Sequence, residues 1–500
     1  MRPSVNFASL PPGSFMRKTL FSLGVATLAF VTAASHAQQA PLDLPDLGNP
    51  ADLAISPAQE EEISQQVAAE LYYFNYVLED VEIGEYLNAL GWRLAAFGTE
   101  KPPEFRFFMI ADPRINAFAL PGGYIGMNAG LILAASNESE VASVMAHEQA
   151  HVTQRHAARG QDQGEVETIA TWLAVLAAII AGSANPNVVI GALSIGQGIN
   201  YNRQVSYTRA NEYEADRVGI RTLAAAGFDP NGMASFFAKL EQQTRLYGNR
   251  LPEILLTHPV NTTRIAEATA RATQYQKREF KNSVDFELMR ARIRVLMSES
   301  PSEVGAFFLG ELNGGKLTPE NQYGLAMALA AQSLYDEADK ALAPLLEQNI
   351  KSASVPILKA RILIGQERTG EGLALLKKTL DGLPRFPPAI LAYAEALINA
   401  GEPAEARRVL LSHEQALGTR IETYRLLSAA AKAQGNVAEA QYQQGVYHYA
   451  RGDVRSALQQ LNAGLRVAGV SAADRARLSA KRQEILEQIP KDQLRRLQRE

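Results

Sequence analysis

The sequence predicts a mainly α-helical chain in two folded parts, an α+β domain in which a small sheet accompanies a chemically loaded helix, followed by an α-helical solenoid. Three observations carry this reading. At 500 residues the chain is too long for one ordinary core, given about 100 to 200 residues per domain. Between Phe105 and Asn128 the text changes from helical to short β-rich runs. In the last third, small residues recur at a spacing of 34. A composition of 47% hydrophobic and 20% charged residues agrees with parts that fold in water. The formal charge of -4 excludes the basic balance of a nucleic-acid partner, so no nucleic acid is expected.

Arg17 and Lys18 precede an uncharged, mostly apolar run from Thr19 to Ala34, and Ser35-His36-Ala37 then offers small residues at both recognition positions of a signal-peptidase site. Residues 1–37 therefore read as a signal peptide. Met16 is a candidate true start, because the stretch before it, with Pro3, Pro11 and Pro12, supplies neither the charge nor the apolarity of an export signal. The apolar run is also shorter than the roughly 20 residues of a spanning helix. The chain has no cysteine, which removes disulfides, thiolate metal sites and a lipid-anchoring residue. Any metal must be held by His, Asp or Glu, and the expected compartment is the periplasm.

Residues 38–58, with Pro41, Pro45, Gly48 and Pro50, read as an extended linker. A domain over 59–275 follows. Ser56 can cap its first helix, Pro57 fits the first helical position and Gln59 completes a capping box, with helical sequence continuing through Tyr72 and Leu94. The β-rich runs are Phe105 to Ile110, Ile115 to Leu120 and, beyond the turn Pro121-Gly122-Gly123, Tyr124 to Met127. Asn137, with Glu140 three residues on, starts the next helix.

That helix contains His147-Glu148-Gln149-Ala150-His151. At about 100° per residue its two histidines lie about 40° apart on one face and can chelate one ion. Glu148 lies about 100° from His147, beside the metal, where it can take a proton from a zinc-bound water. A surface helix with two chance histidines is the bland alternative. Against it, two of only seven histidines take this spacing around a glutamate, in a helix that also holds Val141, Val144 and Met145. A catalytic zinc needs a third protein ligand and an open fourth position. Glu212 is the candidate, with Asp216 four residues on along the same face to orient a ligating histidine. Glu214, about 200° from Glu212, reads as solvated, and His156, about 140° round from His151, as structural or solvated.

This HExxH and ExxAD pair resembles the M48 family of metallopeptidases over about residues 59–275. The resemblance implies a gluzincin-type metalloprotease domain holding one Zn2+ per chain on His147, His151 and Glu212, with Glu148 catalytic and Asp216 matched behind the ligands. Asn116-Ala117-Phe118-Ala119-Leu120-Pro121-Gly122-Gly123 is similar to the family's edge strand over the cleft. Asn116, Ala117, Phe118, Ala119 and Leu120 would then bind an extended substrate by β-addition, which demands little sequence. A subgroup carries a later His-Pro with an Arg six residues beyond the His, matched by His258-Pro259 and Arg264. By resemblance, His258 either fills the fourth zinc position at rest or assists catalysis, and Arg264 faces the cleft. Without the family, His258 reads as a loop residue before a Pro-bounded helix.

Between the two motifs, the uncharged stretch from Thr168 to Asn202 is broken by Gly182-Ser183-Ala184-Asn185-Pro186 into apolar arms, Ile169 to Ala181 and Val188 to Ile199. Each arm is about 20 Å long as a helix, short of the roughly 30 Å hydrocarbon core. Residues 169–199 read as a peripheral hairpin that contacts a membrane or covers the active site, with buried core as the alternative.

A connecting helical segment, 276–315, leads to the repeats. Ala326, Ala360, Ala394 and Ser428 form one series, and Ala338, Gly372, Ala406 and Ala440 a second, offset by 12 residues. Gly445 and Ala457 repeat that offset half a period later. Thirty-four is the tetratricopeptide period, in which small residues let two helices approach and stacked units bury what one leaves exposed. Repeats are expected over 316–485, folding as a unit of their own, with a charged tail over 486–500.

The leading expectation is a zinc-dependent endopeptidase of the periplasm. By resemblance it degrades misfolded or stalled envelope proteins and assists outer-membrane β-barrel assembly, docking the β-barrel assembly machinery through its repeats. The alternative is a chaperone or scaffold whose repeats bind clients while the protease site stays latent. An integral-membrane prenyl-protein protease of the same family is set aside, because the chain lacks the several spanning helices it requires.

Overall fold

The computed structural model describes residues 56–98, 103–156, 159, 209–247, 254–276 and 279–489. The stretches read from sequence as a signal peptide, a linker up to residue 55, a peripheral hairpin over 169–199 and the tail from 490 onward lie outside the described residues.

Helix α1, Pro57–Tyr73, starts as its sequence requires. The Ser56 hydroxyl accepts from the Gln59 amide at 3.3 Å, and the Gln59 side chain accepts from the Ser56 amide at 3.0 Å. Helix α2, Val81–Gly98, leads to strands β1, Arg106–Ile110, β2, Ala117–Leu120, and β3, Tyr124–Asn128. The sheet order is β1-β3-β2, with β1 parallel and β2 antiparallel to β3, so β2 is the edge strand next to the site. Ile115 and Asn116 precede the strand instead of belonging to it. The turn between β2 and β3 needs its glycines. Gly122 and Gly123 have φ of 74° and 94°, and a Cβ on Gly123 would sit 3.0 Å from the Glu104 carbonyl oxygen.

Alternation along β2 fixes what lies on each side of the sheet. Phe118 and Leu120 join Ile63, Val67 and Leu71 of α1 in one apolar cluster, while Ala117 and Ala119 join Val141, Val144 and Met145 in another. The small alanines let α4, Glu138–Thr153, lie close to the sheet after α3, Ala129–Ala134. Asn137 caps α4, its side chain accepting from the Glu140 amide at 3.0 Å. Helix α5, Arg209–Ala225, crosses α4 at Gly219, where a Cβ would lie 2.9 Å from Met233 Cε and 3.3 Å from the His147 amide nitrogen. Helices α6, Gly232–Tyr247, α7, Ile254–Thr257, and α8, Thr262–Ala272, close the domain behind α4 and α5.

Helix α9, Val284–Leu296, carries one apolar core onward. Phe286, Leu288, Met289 and Ile293 share a cluster with Leu131 and Ile132 of α3 and with Tyr323, Ala326 and Ala338 of the first repeat. The first helices of successive repeats are Pro319–Ala331, Ser354–Gly365, Pro387–Asn399, Ile421–Ala433 and Val454–Leu465. Each packs on a second helix, and the residues 12 apart mark where the two cross. Ser428 Oγ donates to the Ala440 carbonyl at 2.9 Å, and a Cβ on Gly372 would stand 2.9 Å from the Ala360 oxygen.

The solenoid curls back onto α1 and α2. Arg451 pairs with Glu79 at 2.6 Å, Arg420 with Glu85, and Arg292 of α9 with Asp80 and Glu82 at 2.7 and 3.0 Å. Gly452 lies so close to α1 that a Cβ would be 2.6 Å from the Ala69 oxygen. Among the described residues no helix is long and apolar enough to cross a membrane.

Candidate metal centre

Four side chains from three segments converge between α4 and α5. His147 and His151 project from α4, Glu212 from the first turn of α5, and His258 from the turn after α7, and one ligand atom of each lies within 4.8 Å of the others. His151 Nε2 is 3.0 Å from His147 Nε2 and 3.3 Å from Glu212 Oε1. His258 Nδ1 is 3.0 Å from Glu212 Oε1 and 3.3 Å from His147 Nε2. All four are buried.

Both α4 histidines aim Nε2 into this cluster because something holds Nδ1. His147 Nδ1 lies 3.1 Å from Asp216 Oδ1, one turn beyond Glu212. Asp216 is gripped by Arg264, whose Nε and Nη2 each donate to it at 2.7 Å, while Nη1 donates to the Pro259 carbonyl at 2.8 Å and meets Glu212 Oε2 at 2.7 Å. The guanidinium stacks 4.7 Å from the Phe237 ring centroid. The resemblance places Arg264 toward the cleft; the structure corrects this. Arg264 is only 2% exposed, because two buried carboxylates one helical turn apart need a cation between them and the core. It is a positioning residue.

His151 has a different support, which the sequence reading misses. Its Nδ1 lies 2.9 Å from Nδ1 of His156, whose Nε2 is 3.1 Å from Glu214 Oε2, and Arg159 reaches the same oxygen at 3.2 Å. The helical-wheel argument fails because α4 ends at Thr153. Arg155 then takes a left-handed backbone at φ 51° and returns His156 beneath His151. Glu214 is therefore paired, not simply solvated.

The cluster's electrostatics favour a cation. Burial opposes a proton on His147, but hydrogen bonds to Asp216 and Glu212 outweigh it and push the imidazole up to about 10. Burial drives His151 well below the ordinary histidine range, against the pull of Glu212. Burial would raise Glu212, yet the His258 charge and bonds from three imidazoles hold it well below the usual carboxylate range. Asp216 is likewise held down, by His147 and Arg264 against burial.

Glu148 completes the test of fit. It is 0% exposed, and neither carboxylate oxygen has a hydrogen-bond partner among the described residues; His258 Nε2 is 3.5 Å from one of them. A buried, orphaned carboxylate beside converging imidazole nitrogens is costly in a protein alone and natural beside a metal and water. Three imidazoles and one carboxylate are donors that suit a borderline divalent ion such as zinc. The residues fit a metal. Asn116, expected in the substrate strand, is fully buried ahead of β2, its amide without a hydrogen-bond partner among the described residues.

Comparison with known proteins agrees with this geometry. The model of Peptidase family M48 matches residues 84–272, and that of the tetratricopeptide repeat matches residues 363–419. The chain is 34% identical over 397 residues to the beta-barrel assembly-enhancing protease of Escherichia coli (strain K12), covering 79% of this chain and 81% of that one. It is 38% identical over 340 residues to a putative beta-barrel assembly-enhancing protease of Vibrio cholerae, covering 67% and 69%. A mitochondrial metalloendopeptidase of Arabidopsis thaliana, OMA1, is 32% identical over 153 residues, 30% of this chain and 28% of that one.

Proposed function

We propose, for a chain that belongs to peptidase family M48 and is a metalloendopeptidase, that it is zinc-dependent and acts in the periplasm on misfolded or stalled envelope proteins, assisting outer-membrane β-barrel assembly. The observation that carries the reading is Glu148, a fully buried carboxylate left without a hydrogen bond beside four convergent ligands. A site built only to hold a structural metal has no use for such a base. The envelope setting is supported by the β-barrel assembly role that the relatives' names state and by the signal-like text of residues 1–37.

His147, His151 and Glu212 would hold the zinc, with Asp216 and His156 fixing the tautomers that turn both Nε2 atoms inward. Zinc, when bound there, supplies Lewis acidity for the scissile carbonyl and a water whose pKa falls to about 7. Glu148 accepts the proton of the attacking water and returns it to the leaving amine. Strand β2, at the edge of the sheet, offers backbone groups to an extended substrate, which suits chains that have lost their fold. The repeats are the surface for the assembly machinery.

Zinc content and casein hydrolysis of purified variants test this. Glu148→Gln is expected to keep its zinc and lose hydrolysis by at least about 1,000-fold, the scale of a base needed for the chemical step. Glu212→Gln is expected to lose zinc itself. Full zinc in both variants would remove Glu212 from the ligand set.

A second reading, a client-binding scaffold with a latent protease, is favoured by one observation: His258 already sits among the ligands. An imidazole in the fourth ligand position would displace the water that Glu148 must use, and a substrate or partner that moves the His258 turn would release it. His258→Ala should then retain zinc and raise basal cleavage. Retained zinc with lost turnover would instead make His258 a transition-state donor and end the latency idea.

A further inference from the structure

The sheet has a second edge. Strand β2 is one edge, and β1, paired to β3 on its inner side, is the other. Along the outer side of β1 a short antiparallel pairing begins and then stops. The Leu78 amide donates to the Met109 carbonyl and the Ala111 amide to the Tyr76 carbonyl, each at 2.8 Å, around the bridge of Val77 with Ile110. Main-chain groups of alternate residues face opposite edges of a strand, so the next residue of β1 on that side is Phe107. By then the partnering segment has turned away. Asp80 Oδ1 accepts from the Glu82 and Ile83 amides at 3.1 and 3.0 Å and leads the chain into α2. The Phe107 N–H and C=O are left directed outward, with no hydrogen bond on that side among the described residues.

This edge opens into a cavity of about 1220 Å³ whose lining includes no metal ligand. Gln66, Glu70 and Tyr73 of α1 line one side, Gly84 and Asn88 of α2 another, and Glu422 and Tyr449 of the solenoid a third. The edge itself is firmly set, since the Phe107 side chain belongs to the cluster that holds α2 and Phe108 to the cluster that holds α1. The lining carboxylates are Glu62, Glu70, Glu79, Asp80, Glu85, Glu422 and Asp453, and the lining cations are Arg106, Arg420 and Arg455. Arg106 pairs with Glu61 at 2.6 Å and Arg420 with Glu85, while Arg451 and Arg292 hold Glu79 and Asp80 from outside the lining. With those pairs set aside, the lining still has Glu62, Glu70, Glu422 and Asp453 to set against Arg455, so it remains acidic.

We propose that the outer edge of β1 is a strand-docking site, separate from the metal cleft, which takes an extended, basic segment of an unfolded client by β-addition at Phe107, its lysines or arginines set against Glu62, Glu70 and Glu422. A client held there meets the β2 edge as a tethered chain, at raised effective concentration. The proposal rests on unfolded polypeptides being the clients, but docking needs neither zinc nor turnover, so its failure and a failure of the protease reading are told apart.

The test uses the full-length protein as its Glu148→Gln variant, so that no probe is cut, and a labelled peptide of about eight residues in which lysine alternates with threonine. Fluorescence anisotropy should show saturable binding. N-methylation of the central amides keeps the side chains and the charge but removes the donors, and should weaken binding at least about tenfold. On the protein side, a Cβ at Gly84 meets nothing within 4 Å, so Gly84→Phe adds a ring to the cavity without touching the core and should weaken binding by at least about the same factor. Glu62→Lys with Glu70→Lys, both at exposed positions of α1, is a second variant that leaves α2 alone and should act in the same direction. Hydrogen exchange over residues 106–109 should slow when the peptide binds, and that of β2 should not change. Absence of saturable binding, equal binding of the methylated and unmethylated peptides, or protection at β2 in place of β1 would each overturn the proposal. So would protection of β1 that rises with protein concentration alone, which gives the edge to a second copy.

Discussion

The two histidines of α4 stand one turn apart, yet they are held in different ways. Behind His147 are Asp216 and Arg264, both buried and joined by two parallel bonds of 2.7 Å. Behind His151 are His156, then Glu214 and Arg159, whose side chains are 30% and 45% exposed. One support is sealed in the core; the other runs out to the surface. Sealed charges cannot be replaced by water when a partner is lost, whereas exposed ones can, so the same motif combines a stiff anchor with a compliant one.

Substitutions can break or sharpen that contrast. The largest effect is expected from Arg264→Met, which leaves Asp216 and Glu212 without their cation and should lower unfolding stability by about 3–5 kcal/mol in urea titrations. A loss below about 1 kcal/mol, the scale of a surface pair, would mean that the core tolerates those charges and the stiff anchor is no anchor. Next, Asp216→Asn should weaken zinc binding about 10–100-fold by competition with a chelator, as loss of an orienting partner does elsewhere. His156→Gln is the matched change on the other arm, expected at or below the bottom of that same 10–100-fold range. Were His156→Gln to cost as much as Asp216→Asn, the arms would be equivalent and the contrast would fail. Smallest of all, Glu214→Gln should change stability by less than about 1 kcal/mol and should matter less as salt rises.

Much of this site was legible before any fold was known. His147, Glu148 and His151 follow from helical spacing, and Glu212 and Asp216 from the need for a third donor and an orienting group. Arg264 was legible by position but not by direction. Its place is set by Asn261, whose side chain accepts from the Arg264 amide at 2.9 Å and starts α8 there, beside the two carboxylates. His156 was hidden because nothing in Gln154-Arg155 announces the end of a helix, and angular extrapolation past Thr153 points the wrong way. The repeats were legible because a crossing of two helices needs small residues at fixed intervals, as Ser428 and Ala440 display. The return of the solenoid onto α1 and α2 was not, since ion pairs such as Arg420 with Glu85 and Arg451 with Glu79 join residues more than 300 positions apart and leave no periodic trace.

The shared core through α9 has a consequence for how the molecule comes into being. The chain is delivered from its N-terminal side, so α3, α4 and α5 are all present before the first repeat exists. Until Phe286 and Met289 arrive, the apolar cluster that holds Leu131 and Ile132 lacks its α9 members. A chain interrupted before α9 would thus carry its blade with one layer of the shared core still missing.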